Sequence, residues 1–236
     1  MAQSLWWSFL AGACTVIGAA VLFVSRDWGK RSLAFFLGLA SGVMIAVVVF
    51  DLLPSILFFP HRIKGMAGFI FGLAAMWLIN RHLLTPEAAG QNLRRLGYLI
   101  MLGIALHDLP EGMAIAFGEE MKARTGLIIA LGIGIHNIPE GMAIAAPLLM
   151  DGVKKTRVLL QTVIVALITP LGTLMGRYAV SIVPDMLPAM LGVAAGIMIY
   201  LVASQLWPQA GINDTRSRRW GLVIGMIIIF TGTYLI

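Results

Sequence analysis

Five ionisable side chains and an asparagine fall in two short stretches of an otherwise apolar chain. His107-Asp108-Leu109-Pro110-Glu111-Gly112-Met113-Ala114-Ile115-Ala116 returns 29 residues later as His136-Asn137-Ile138-Pro139-Glu140-Gly141-Met142-Ala143-Ile144-Ala145, and eight of the ten positions are identical. On a helix advancing about 100° per residue, Glu111 stands about 40° from His107 and Asp108 about 100° from it. One face therefore carries a nitrogen ligand and two oxygen ligands, and His136, Asn137 and Glu140 repeat the fan. Two such fans facing each other offer imidazoles, carboxylates and an amide oxygen, with Glu111 and Glu140 placed to bridge cations. A mixed nitrogen and oxygen set without thiolate suits zinc, iron(II) and manganese. The competing reading is a pair of His-to-Glu hydrogen bonds tying two helices together. Duplication of the whole pattern, with a proline inside each copy, weighs against it.

The elements that must hold these residues are membrane helices. Each copy lies midway along an apolar run of about 22 residues, enough to cross a bilayer core, and ionisable groups at that depth are costly and usually functional. Pro110 and Pro139 lack an N–H, so each helix is expected to kink beside its ligands, freeing polar backbone that is tolerable where it lines a cavity. Gly112 and Gly141 remove a side chain just past each glutamate and favour close helix approach.

The composition agrees. The 236 residues are 59% hydrophobic and 12% charged, too apolar for a soluble domain of this size. The net charge of +6 is spread over short clusters between apolar runs, a topological pattern and not a nucleic-acid face. Cys14 is the single cysteine, so no intrachain disulfide or zinc ribbon exists. The first apolar run lacks a basic leader and is too long for a signal-peptide core, so it reads as a retained helix.

Eight spans are expected, near 5–24, 33–57, 65–80, 96–118, 126–150, 158–180, 187–206 and 220–236, forming a single transmembrane domain over 1–236. Twelve basic residues (Arg26, Lys30, Arg31, Arg81, Arg94, Arg95, Lys154, Lys155, Arg157, Arg216, Arg218, Arg219) fall in alternate connections, against five in the others (Arg62, Lys64, Lys122, Arg124, Arg177). The positive-inside rule then puts the first set in the cytoplasm and both termini outside. All six tryptophans lie near span ends, as an interfacial belt requires. Gly38–Pro54 and Gly192–Pro208 align without gaps and match at eight of 17 positions. Since spans two and seven run in opposite senses, as do four and five, the chain reads as an all-α bundle of eight transmembrane helices in a 3+2+3 inverted repeat with extracytoplasmic termini. Transporters of that plan bind substrate where the repeats meet. Asp51, near the outer end of span two, reads either as an interfacial solvated carboxylate or as a group that attracts cations at the entrance. His61 and His82 lie at membrane edges and receive no role; the methionines read mostly as packing.

At these residues the chain closely resembles the ZIP (Zrt/Irt-like) family of divalent metal transporters, most of all its bacterial GufA-type branch. The paired H-[DN]-x-P-E-G motifs carry the resemblance, which extends over all eight spans. It implies a mid-membrane metal site, often binuclear, at His107, Asp108, Glu111, His136, Asn137 and Glu140, and an entry lined by the position that Met44 occupies. Span six reads Thr169-Pro170-Leu171-Gly172 where that branch has Glu-Pro-[LI]-Gly, and span seven reads Ser204-Gln205-Leu206-Trp207-Pro208-Gln209 where relatives have an exit sequence His-Glu-x-x-Pro-Glu. Thr169, Ser204 and Gln205 are therefore neutral positions on the implied pathway. With Asp108, Glu111 and Glu140 the only carboxylates of the motif, one tightly held ion is expected in preference to two.

The resulting expectation is a multi-pass protein of the cell (plasma) membrane. It carries divalent transition-metal ions towards the cytoplasm: zinc first, with iron, manganese or cadmium as alternatives. The metal is substrate, and the lipid bilayer is the surrounding partner. No nucleic acid is bound, and a homodimer is among the assemblies open to the chain. No phosphate-binding G-x-x-x-x-G-K-[ST] loop is present, so no ATP machinery is read in this chain. The first rival is an intramembrane metal-dependent hydrolase, whose ligands would activate water, although HExxH is absent. The second is a proton-coupled or channel-like conductor of another cation.

Overall fold

The computed structural model describes residues 3–24, 28–58, 61–83 and 92–235, all in helices and short connections without a strand among them. Eight helices follow in order: α1 (Gln3–Val21), α2 (Lys30–Phe58), α3 (Arg62–Leu83), α4 (Leu93–Met121), α5 (Ala123–Met150), α6 (Lys155–Ile182), α7 (Leu187–Asn213) and α8 (Thr215–Leu235). Among the described residues, α1 to α7 are long and apolar enough to cross a membrane. Helix α8 opens on Arg216, Arg218 and Arg219 and becomes apolar afterwards. Arg26, the connection 84–91 and Ile236 lie outside the described residues.

Local signals set the ends that matter for the site. The Asn92 side chain caps α4 by accepting the Arg95 amide N–H at 3.0 Å. Asp214 caps α8 through Ser217 N–H at 2.7 Å, and that bond holds its carboxyl below the usual carboxylate range. At the end of α5, Gly152 takes φ +80 and Val153 N–H closes onto Leu148 O at 3.0 Å, a left-handed stop that a side chain would resist. Only Lys122, in extended backbone at φ −160, separates α4 from α5. Gly118 and Gly126 meet beside this one-residue link, so the two motif helices run antiparallel as a tight hairpin. His107 lies 15 residues before Lys122 and His136 lies 14 after it. At 1.5 Å per residue, both motifs sit about 22 Å from the turn and face each other at one depth.

Around this hairpin, α1 packs on α5 and α6 on α4; α2 packs on α5 and α7 on α4; and α8 covers α2 while α3 covers α7. Glycines make the outer contacts close. A Cβ at Gly38 or Gly42 would meet the Arg218 or Leu222 carbonyl of α8, and one at Gly192 or Gly196 would meet the Gly65 or Phe69 carbonyl of α3, all within 2.3 Å. Backbones this near gain dispersion contacts that larger residues would prevent.

Two helices carry matching irregularities. Helices α2 and α7 widen into π turns at Val47–Leu52 and Val202–Leu206, and Leu53 and Trp207 N–H bond back five residues to Val48 O and Val202 O. Pro54 and Pro208 follow immediately; each ring lacks an N–H and crowds the carbonyl four residues back, which the wider turn relieves. Helices α4 and α5, by contrast, remain continuously helical through Pro110 and Pro139.

Candidate metal centre

Six polar side chains from α4 and α5 are buried where the two helices cross, none more than 3% exposed. The Nδ1 of His107 lies 3.1 Å from Gly103 O, one turn back; a proton there leaves Nε2 as the free lone pair. That Nε2 stands 3.4 Å from Glu140 Oε2 and 3.6 Å from Asp108 Oδ1. His136 Nε2 stands 3.0 Å from Glu111 Oε2. The imidazoles and glutamates are thus crossed between the helices, each histidine against the glutamate of the other. Ligand atoms of His107, Asp108 and Glu111 all lie within 4.8 Å of one another.

Hydrogen bonding within the protein leaves much of this cluster unsatisfied. His107 Nε2, both Asp108 oxygens, Glu111 Oε1, both Glu140 oxygens and Asn137 Oδ1 are buried without a hydrogen-bond partner. Buried carboxylates without donors are among the most expensive arrangements in a protein, worth several kcal/mol each. Lone pairs converging on a small volume become favourable when a divalent cation occupies it.

Asn137 is held differently from its counterpart Asp108. Its Nδ2 donates to Ala11 O of α1 at 2.9 Å, which fixes the amide and turns the unpartnered Oδ1 away from that bond. The motif glycines also turn outward. A Cβ on Gly141 would stand 2.0 Å from Thr15 O of α1, and one on Gly112 would stand 2.1 Å from Thr169 O of α6. They bring α1 and α6 against the hairpin instead of joining the hairpin helices to each other. Thr173 Oγ donates to Gly112 O at 2.8 Å, a tie that the sequence reading missed.

A cavity of about 450 Å³ leads to this cluster; Asp51, Ser55, Thr125, Glu111 and His136 are among its lining residues. It occupies the half of the bundle near the α2–α3, α4–α5 and α6–α7 connections. The opposite half is filled by the fully buried Ile100, Ile104, Ile144, Leu148 and Leu201. Leu201 fits against Gly103 and Leu148 against Gly97, while Arg94 Nε bridges to Asp151 Oδ2 at 2.7 Å across the ends of α4 and α5.

Of the remaining positions singled out in the sequence, Asp51 lines the cavity and Met44 is buried in the main apolar core. Thr169 is buried beside Gly112. Ser204 and Gln205 direct their hydrogen bonds elsewhere: Ser204 Oγ to Tyr200 O at 2.7 Å, and Gln205 Nε2 to Asn80 Oδ1 of α3 at 3.2 Å. His61 pairs with Asp185 at 3.4 Å on the surface.

Residues 84–236 match the family described as "ZIP Zinc transporter". The chain belongs to the ZIP family. It is also 32% identical over 246 aligned residues to "Zinc transporter ZupT" of Escherichia coli O7:K1 (strain IAI39 / ExPEC), an alignment covering 97% of this chain and 95% of the relative. The proteins of the same name from E. coli O1:K1 / APEC and E. coli K12 / DH10B match at the same identity and coverage. This ZIP protein is accordingly a multi-pass membrane transporter of divalent metal, and the hydrolase alternative falls.

Proposed function

We propose that this protein moves a divalent transition metal, zinc foremost, across the cell membrane towards the cytoplasm, and that the ion rests between His107, Glu111, His136 and Glu140, with Asp108 and Asn137 beside it. The single observation that carries the reading is the buried cluster of unpartnered carboxylate oxygens and imidazole nitrogens at the end of a cavity. Zinc with two imidazoles and two carboxylates completes a four-ligand shell. The name of the ZupT relatives supports zinc over the other metals.

The topology we infer has eight spans, inverted halves and both termini outside the cytoplasm. Its support lies in the distribution of Lys and Arg, in the contacts that pair α1 on α5 with α6 on α4, and in the matching π turns of α2 and α7. On that topology the cavity faces the extracytoplasmic side and the Ile100, Ile144 and Leu201 layer seals the cytoplasmic side. An ion entering past Asp51 meets Glu111 and His136 first. Release inward requires the two halves to exchange which side is packed, the usual consequence of a site shared by inverted repeats.

Uptake of radioactive zinc into proteoliposomes, with iron, manganese and cadmium as competitors, tests the proposal. Saturable zinc entry that is lost in Glu111→Gln is the expected result. Zinc entry unaffected by that substitution contradicts the site.

A further inference from the structure

The cavity that leads to the metal cluster is larger and more apolar than an ion requires. A divalent ion with six waters takes about 180 Å³, at about 30 Å³ per water. The cavity offers about 450 Å³. Among the described residues twenty line it and only five are polar, so most of the wall gives water no hydrogen-bond partner. Phe50 of α2, Ile133 of α5, Leu191 of α7 and Ile229 of α8 form apolar sides. Volume and lining of this kind suit a drug-sized apolar molecule oriented by a few polar groups.

The fixed charge lining the cavity has one sign. Asp51 and Glu111 bring carboxylates, and among the described residues no lysine or arginine lines the space. Glu111 is 2% exposed; its Oε2 stands 3.0 Å from His136 Nε2, and its Oε1 has no hydrogen-bond partner. Two lining glycines leave room. A Cβ on Gly132 of α5 would meet nothing within 4 Å, and one on Gly232 of α8 would first meet Ile135 Cδ1, at 3.5 Å. An apolar body therefore finds walls and space here. A positive head group finds two carboxylates, where an anion would be repelled.

We propose that this cavity is a binding site for amphipathic monocations, molecules with an apolar body and one ammonium group. The body lies against the apolar sides, and the ammonium is directed at the carboxylates of Asp51 and Glu111. Bound there, the molecule occupies the way to the metal cluster and excludes the ion from it. The blocking effect rests on the entry route proposed above; the binding itself does not. A neutral molecule of the same shape gains only the apolar part, and an anion meets like charge in a space of low dielectric.

Three probes that share one body separate these contributions: 4-phenylbutylamine, 4-phenylbutanol and 4-phenylbutyrate, which are positive, neutral and negative at pH 7. Titration calorimetry on the purified full-length protein measures binding, and radioactive zinc uptake into proteoliposomes measures blocking. The amine is expected to bind at least about tenfold tighter than the alcohol, the scale of one hydrogen bond to a charged group, and the acid not at all. It should raise the zinc concentration that gives half-maximal uptake and leave the maximal rate unchanged. Asp51→Asn should weaken the amine at least about fivefold. Gly132→Leu, which fills the open space, should weaken amine and alcohol alike. Equal affinity for amine and alcohol overturns the proposal and marks an apolar slot only. Amine affinity unchanged in both variants overturns it as well. Should Asp51→Asn fail to insert, Gly132→Leu and the three probes decide it. Amine binding with no effect on zinc uptake upholds the site and overturns the entry route.

Discussion

Replacing Gly141 by alanine tests how far the ligands depend on helix α1. The added methyl would stand 2.0 Å from the Thr15 carbonyl oxygen, 2.8 Å from its carbon and 3.0 Å from Ala19 N. All three are backbone atoms, so no rotamer change makes room. Ordinary contact begins near 3.4 Å, and α1 must therefore retreat by about 1.4 Å along that direction. The Asn137–Ala11 hydrogen bond, now 2.9 Å, then stretches well beyond 3.5 Å and frees the amide. Overpacking of this kind costs about 1 to 3 kcal/mol, and loosening a group that positions a metal site costs about 10- to 100-fold in affinity. Gly132→Ala is the control, because a Cβ there meets no atom within 4 Å. Thermal unfolding in detergent and zinc competition against a chelating dye measure both effects. Gly141→Ala should melt earlier and bind zinc at least about tenfold more weakly, while Gly132→Ala stays at wild type. If Gly141→Ala matches wild type in both assays, the dependence of the site on α1 is refuted.

Three further outcomes follow from the same geometry. Glu111→Gln and Glu140→Gln should each reach the membrane yet lose zinc uptake, because the amide keeps the shape and removes the charge; uptake in proteoliposomes beside a detergent elution profile checks this. Zinc affinity should weaken from pH 7 to pH 5, because His107 and His136 must be unprotonated to bind and protons then compete with metal; calorimetry across that range measures it, and a flat profile argues against imidazole ligands. Purified wild type at saturating zinc should hold one tightly bound ion by elemental analysis, since Asp108, Glu111 and Glu140 balance three of the four charges of an ion pair, and Thr169→Glu should raise the ratio towards two.

The duplicated motif announced the candidate site because its chemistry is expressed in residue types. Histidine, aspartate and glutamate in apolar runs are costly enough that their spacing carries meaning, and the one-residue link at Lys122 brought the two copies to one depth. Long apolar runs likewise marked the helices, though not their full extent: α7 continues to Asn213 because a π turn accommodates Pro208, where the apolar run had ended at 206. What the residues did not reveal was the part played by α1. The contact of Ala11 with Asn137 uses a backbone carbonyl, which every residue has, so no side-chain type signals it. Gln205 bonds to Asn80, a pairing across 125 positions that no local pattern encodes.

The central claim is that the metal sits on imidazole nitrogen and carboxylate oxygen at the crossing of α4 and α5. The X-ray absorption spectrum of the purified protein with one equivalent of zinc, taken at the zinc edge, tests it most directly. The account predicts a shell of nitrogen and oxygen at about 2.0 to 2.2 Å with the outer scattering of two imidazoles, which disappears when His107 and His136 are both replaced by alanine. A sulfur shell near 2.3 Å, as from Cys14, or a spectrum unchanged by removing both histidines would contradict it.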